Sequence, residues 1–255
     1  MKTNSENAGE RVSEERSYQV VKSNEFIQKS RFNLSMYEQK IVLYIISKIK
    51  PEDKELREQE FRIVDFCRLC GLDDENGKNY QNLKVVLKAI HDKSMWLKDS
   101  TGSETLLSWF DSVTLSPGTG SLTLRINESM SPHLLNLKQK FTKFELLFTL
   151  AMKSQYSIRL YEILKSYEYL GHKKFDLDML KEQLCAEKYI YFSNFDEKVL
   201  KIAVREINEV SDIKVSYTPI REGKKYKFID VDISLKKDYN QRIDTLDSIR
   251  AIIGT

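Results

Sequence analysis

The feature that most constrains this chain is a succession of hydrophobic periods that occurs twice: a long helical stretch, a short extended one, a short helix, another helix, then runs that alternate like strands. In the first pass Ser35-Met36-Tyr37-Glu38 has the S-x-x-E pattern that closes a capping box. Ile41, Val42, Ile45, Ile46 and Ile49 follow at helical spacing until Pro51. Glu60 to Ile63 suits a short strand. Asp65 is expected to cap a short helix that Gly71 ends, and Leu83, Val86, Leu87 and Ile90 mark one face of the next. Met95 to Lys98, Thr105 to Phe110 and Ser121 to Asn127 read as strands, the last after the turn signal Pro117-Gly118.

The second pass uses different residues. Tyr156, Leu160, Tyr161, Leu164 and Tyr167 form a helix face ended by Gly171, Lys174 to Leu177 can extend, and Asp178 to Leu184 makes a short helix. Ser193 to Asp196 is an S-x-x-D start signal, and Val199, Ala203, Ile207 and Val210 recur behind it. Ile213, Val215 and Tyr217 then alternate, Arg221-Glu222-Gly223-Lys224 forms a turn, and Tyr226, Phe228, Val231, Ile233 and Leu235 return. The phase of the return strand slips between Phe228 and Val231, where one extra residue would be a β-bulge.

Helix, helix and ribbon in that order predict an α+β chain of two tandem winged-helix domains, each a helix-turn-helix with a β-wing whose second helix can enter a DNA major groove. The expected boundaries are a disordered leader over 1–17, a first domain over 18–138, a second over 139–237 and a tail over 238–255. Topology alone also fits two small α+β domains of another purpose, so charge placement has to decide.

The 255 residues carry 41 Lys and Arg against 38 Asp and Glu, and a formal +3 is too small to mark a nucleic-acid binder by itself. Placement says more. At roughly 100° per residue, Asn194, Lys198, Lys201 and Arg205 share a helix face opposite the apolar one, and Arg221, Lys224, Lys225 and Lys227 crowd the adjoining wing. Lysines there suit phosphates, whereas Asn194 and Arg205 have the paired donors and acceptors that read base edges. The corresponding helix of the first half offers Lys78, Gln81, Lys84 and Lys88 away from its apolar face. That mixed surface is compatible with backbone contact or plain solvation.

Other classes fit less well. No run approaches the roughly 18 apolar residues of a membrane span, and three cysteines in a long chain argue against a disulfide framework, so a cytoplasmic chain without membrane contact is expected. Cys67-Arg68-Leu69-Cys70 has no second pair for zinc and reads as two buried thiols. His91, His133 and His172 lack the spacing of a metal-assisted nicking site. Gly71 to Lys78 has five residues between its glycines where a phosphate loop needs four, and Asn79 where it needs Ser or Thr. Tyr161, Tyr167, Trp96 and Trp109 lie on apolar periodicities that suit a core better than stacking on single strands. No catalytic residue, metal or cofactor is expected.

Ser157-Ile158-Arg159-Leu160-Tyr161-Glu162, Phe195 through Asn208 with Val199-Leu200, Ala203 and Glu206-Ile207-Asn208, Asp212-Ile213-Lys214-Val215 and Gly223-Lys224-Lys225 resemble signatures of iteron-binding plasmid replication initiators. Asn24 to Ser47 is similar to the start of that family's first winged helix, so the resemblance runs from about Tyr18 to Leu235. It implies a monomer bound to double-stranded direct repeats at a plasmid origin and opening of nearby duplex. It also implies self-association into a dimer that represses its own promoter, and recruitment of host helicase-loading and initiator proteins. It adds Arg159 to the expected DNA contacts. The chain departs from the pattern at Asp196-Glu197, where such initiators often carry basic residues; these acids read as helix-start residues at the positive end of the helix dipole. A winged-helix transcriptional repressor that opens nothing is the alternative.

Overall fold

A computed structural model describes residues 18–50, 53–72, 79–98, 101–116 and 118–237. The expected leader and tail, the stop at Pro51, the turn proline Pro117 and the candidate contact Lys78 lie outside the described residues. The described chain forms two compact units: residues 18–26 with Leu34–Leu150, and Ile27–Asn33 with residues 151–237. The boundary expected at 138/139 is thereby corrected. Strand Phe141–Glu145 pairs antiparallel with Gln19–Ser23, Val20 opposite Phe144, which ties residues beyond 139 to the first unit. Ile27–Asn33, early in the chain, is built into the second.

The first unit is organised by helix Met36–Ser47, which has the capping box its sequence announces: the Ser35 hydroxyl accepts from Glu38 N–H, and the Glu38 carboxylate accepts from Ser35 N–H at 2.6 Å. Ile41, Ile45 and Ile46 are buried on it. Strand Gln59–Arg62 pairs with Ser121–Ile126, which pairs in turn with Phe110–Ser116. Helix Ile63–Cys70 starts at Arg62 rather than at Asp65; Asp65 sits in the first turn, 3.4 Å from Arg62 across an ion pair. Gly71 ends the helix in the left-handed conformation at φ 71°, where a side chain would be strained. Cys67 and Cys70 are both buried and form no disulfide. Helix Asn79–His91 buries Leu83, Leu87 and Ile90. The expected strand Thr105 to Phe110 is two strands, Glu104–Leu107 and Phe110–Ser116, broken where Trp109 turns into the core. Trp96 departs from its expected core position, for it is 49% exposed on strand Met95–Lys98 opposite Leu106.

The second unit has helix Gln155–Ser166, strand His172–Asp176, helix Leu177–Gln183, a segment from Phe192 to Val210, and the hairpin Ile213–Glu222 with Lys225–Leu235. The hairpin's return strand also pairs with His172–Asp176, giving a three-stranded antiparallel sheet. Ile213, Val215, Ile229, Val231 and Ile233 face the core, as does the row Phe195, Val199, Leu200, Ala203, Ile207 and Val210 of the preceding helical segment. Helix, helix and wing thus follow one another in the winged-helix order. Among the described residues, no helix is long and apolar enough to cross a membrane, and no group of His, Cys, Asp and Glu could hold a metal ion.

Candidate nucleic-acid interface

The helical segment that carries the basic row is built in three parts: helix Phe192–Phe195, a π turn at Asp196–Leu200 and helix Lys201–Val210. The π turn inserts the equivalent of one residue, so Val199 and Leu200 both reach the core, and the tail end of the segment is rotated relative to Asn194. Asn194, Lys198, Lys201 and Arg205 are nevertheless all exposed, on the side away from the buried row.

Ser193 is not the helix cap that its S-x-x-D pattern suggested. The segment begins two residues earlier, with Tyr191 at the cap position and no side-chain cap. Asp196, free of capping, points inward along the wing. Its carboxylate accepts a hydrogen bond from the Tyr217 hydroxyl and pairs with Lys201 Nζ at 3.1 Å. Burial and this carboxylate push the Tyr217 hydroxyl well above the usual tyrosine range, so it stays a donor. The acid at a position where basic residues were expected is therefore a tie between helix and wing.

Three further ties fix the helix against its neighbours. Glu206 accepts from the backbone N–H groups of Lys153 and Ser154 at 3.1 and 3.2 Å, at the start of helix Gln155–Ser166. Asn208 pairs with the backbone of Val215 in the first wing strand. Asp212 receives the Tyr161 hydroxyl at 2.8 Å and Lys165 Nζ at 2.5 Å. The motif residues Glu206, Asn208, Tyr161 and Asp212 thus hold the scaffold rather than the surface.

The wing leaves Arg221, Lys224 and Lys225 exposed around Gly223, which turns the chain at φ 63°. The Arg221 guanidinium lies 4.3 Å over the Tyr226 ring and donates to its hydroxyl at 2.8 Å, and Tyr226 packs on Phe192 with ring centroids 4.0 Å apart. Wing and helix start are in this way one surface. The bulge comes earlier than expected: Ile220 pairs with Phe228 but Arg221 with Tyr226, which makes Lys227 the extra residue. Lys227 is also the least available cation of the wing. It pairs with Asp176 at 3.1 Å, and that hydrogen bond and charge raise its pKa. Burial opposes ionisation of Asp176, but backbone donors at Met179 and Asp178 together with Lys227 hold its carboxyl below the usual range.

Among the described residues, Arg159 is the one expected contact that the structure takes off the surface. Its side chain is 3% exposed, and its guanidinium donates to the carbonyls of Ile27 and Ser30 at 2.7 and 2.8 Å while facing Glu162 at 3.6 Å. The clamp holds segment Ile27–Asn33 inside the second unit. Gln183 supports it by donating to the Gln28 carbonyl at 2.6 Å. In the first unit Gln81, Lys84 and Lys88 are exposed on helix Asn79–His91, with Lys88 paired to Asp92 at 2.6 Å.

Comparison with known proteins agrees with this architecture. The family described as Initiator Replication protein, WH1 matches residues 19–165, and that described as Initiator Rep protein, WH2 matches residues 176–233. The PI protein of Escherichia coli is 29% identical over 153 residues, 52% of this chain and 49% of that protein. A replication initiation protein of Escherichia coli is 26% identical over 208 residues, 77% of this chain and 64% of that protein. The chain therefore spans about half to two thirds of these relatives' length. The solved Pi initiator protein in complex with iteron DNA has the same fold, with a TM-score of 0.69 at 22% identity over 88% of this chain and 99% of that one. With its two winged helices matched in order along most of its length, the chain belongs to the family of winged-helix replication initiator proteins.

Proposed function

We propose that this chain binds double-stranded DNA at directly repeated sites of a plasmid origin, using the helix that carries Asn194, Lys198, Lys201 and Arg205 as its groove reader and the wing residues Arg221, Lys224 and Lys225 as its phosphate clamp. The observation that carries this reading is the packing of Tyr226 on Phe192, which joins two exposed basic surfaces into one. A winged helix grips a duplex through such a helix and ribbon. In the first unit, Gln81 and Lys84, with Lys78 beside them in sequence, supply the second contact.

Lys227 belongs to this set as a weak member because Asp176 already holds it. Opening of nearby duplex, loading of host helicase proteins and repression by a dimer complete the proposed role, in the cytoplasm and without covalent chemistry by this chain. Relatives named for initiation, and a like-folded protein bound to iteron DNA, support it. The test is a gel-shift titration of the full chain on a duplex of tandem repeats and on a shuffled duplex of equal composition. Preferential binding to the repeats is expected. Equal binding to both, or none at low salt, would contradict it.

A further inference from the structure

Two large apolar side chains stand in solvent at the start of the groove-reading segment. Ile190 is 80% and Tyr191 71% exposed, although the backbone that carries them is held firmly. Lys181 Nζ donates to the Ile190 carbonyl at 3.2 Å, Phe195 N–H donates to the Tyr191 carbonyl at 3.2 Å, and the Tyr189 ring packs edge-on against Tyr156. The Lys181 ammonium also lies 5.5 Å over the Phe195 ring, so the loop is fastened to the core on both sides of the pair. A pinned backbone that presents apolar side chains outward is a built surface.

Its neighbours identify what it meets. Phe192, the next residue, stacks on the wing, and exposed Asn194 and Lys198 follow, so the pair is continuous with the proposed DNA face. Two apolar side chains flanked by exposed Glu187, Lys188, Ser193 and Asn194 make too small and too charged a patch for a stable protein interface. Residues at the start of a groove-reading helix meet base edges. Isoleucine has no hydrogen-bonding side chain, and the apolar group that a major groove offers it is the thymine methyl. A tyrosine hydroxyl is a common donor to phosphate.

Resting on the function proposed above, we infer that Ile190 reads a thymine methyl in the major groove and that the Tyr191 hydroxyl binds the adjacent phosphate. The pair adds apolar readout to a surface otherwise made of amides and cations.

The test begins with a duplex selected by the wild-type chain from a random-sequence library, in which each thymine is then replaced singly by deoxyuridine. One replacement should weaken wild-type binding about three- to tenfold, the scale of one lost methyl contact. Ile190→Ala should lose a similar factor on the thymine duplex and be indifferent to that same replacement. Tyr191→Phe should weaken binding evenly across all single-base variants without altering its salt dependence, because the lost group is uncharged. Thermal melts of both variants should match wild type, since both side chains are exposed. Full affinity of Ile190→Ala, or an affinity loss that leaves its response to every deoxyuridine unchanged, overturns the inference while the DNA-binding role stands. Selection of no duplex at all by the wild-type chain overturns both.

Discussion

Asn208 and Val215 exchange two hydrogen bonds: the Asn208 amide donates to the Val215 carbonyl at 2.9 Å, and Val215 N–H donates to Asn208 Oδ1 at 2.7 Å. One side chain thereby completes the backbone pairing of the wing's first strand and fixes it to helix Lys201–Val210. Asn208→Ala leaves both buried backbone groups unpaired and should cost about 1–3 kcal/mol for each group that stays unsatisfied. Asn208→Asp keeps the acceptor and loses the donor, so it should fall between alanine and wild type. Urea unfolding of the three proteins measures the order.

Arg159 is expected to matter for folding and not for sequence choice. Removing it takes the guanidinium donor from two carbonyls of segment Ile27–Asn33 and breaks the buried ion pair with Glu162, and breaking such a pair costs about 3–5 kcal/mol. Arg159→Ala should lower the melting temperature sharply, while whatever fraction remains folded discriminates among duplexes as wild type does. A stable Arg159→Ala protein with relaxed sequence preference would contradict this placement.

The wing lysines should separate by their partners. Lys225 is exposed, and Lys225→Ala should lower the slope of log affinity against log salt by about one unit. Lys227 is committed to Asp176, so Lys227→Ala should change the slope much less. Salt titrations of both variants on one duplex compare them directly. Equal slope changes would mean that Lys227 leaves Asp176 to reach a phosphate.

The same pair sets a pH dependence. A carboxyl whose folded value lies below its unfolded one contributes stability above the unfolded range and loses it as pH falls through the folded value. Asp176 is lowered in this way, so its contribution is present at neutral pH and fades below about pH 4. Asp176→Asn can still cap helix Leu177–Gln183, yet it cannot pair with Lys227. Its melting temperature should sit below wild type at pH 7, and the gap should close in acid. A gap that widens in acid would reverse the sign and contradict the assignment.

Much of this arrangement could be read from the chain because local signals and tertiary packing agree. Ser35 and Glu38 announce a capping box that forms, Gly71 and Gly171 end helical turns with positive φ, and Val199, Ala203, Ile207 and Val210 are buried as their spacing requires. The failures have specific causes. The π turn at Asp196–Leu200 has no residue signature, since it comes from Phe195, Val199 and Leu200 all reaching the core. Hydrophobic phase puts the bulge between Phe228 and Val231, but Phe228 is half-buried and Ile229 is the core residue, so the extra residue is Lys227. Arg159 sits on an apolar helix face whose neighbours hinted at burial, yet its partners come from Ile27–Asn33, more than a hundred residues away. Ile190 and Tyr191 gave no periodic signal at all, because they lie in a loop.

The most direct test of the central claim is footprinting of the full chain on a single direct repeat and on an inverted repeat, with the stoichiometry of each complex measured by mass. A chain with two unlike winged helices needs no palindrome, so one chain should protect one direct repeat over roughly 20 base pairs, in one orientation. Two chains on a single direct repeat, or protection of only about 10 base pairs by one chain, would contradict it.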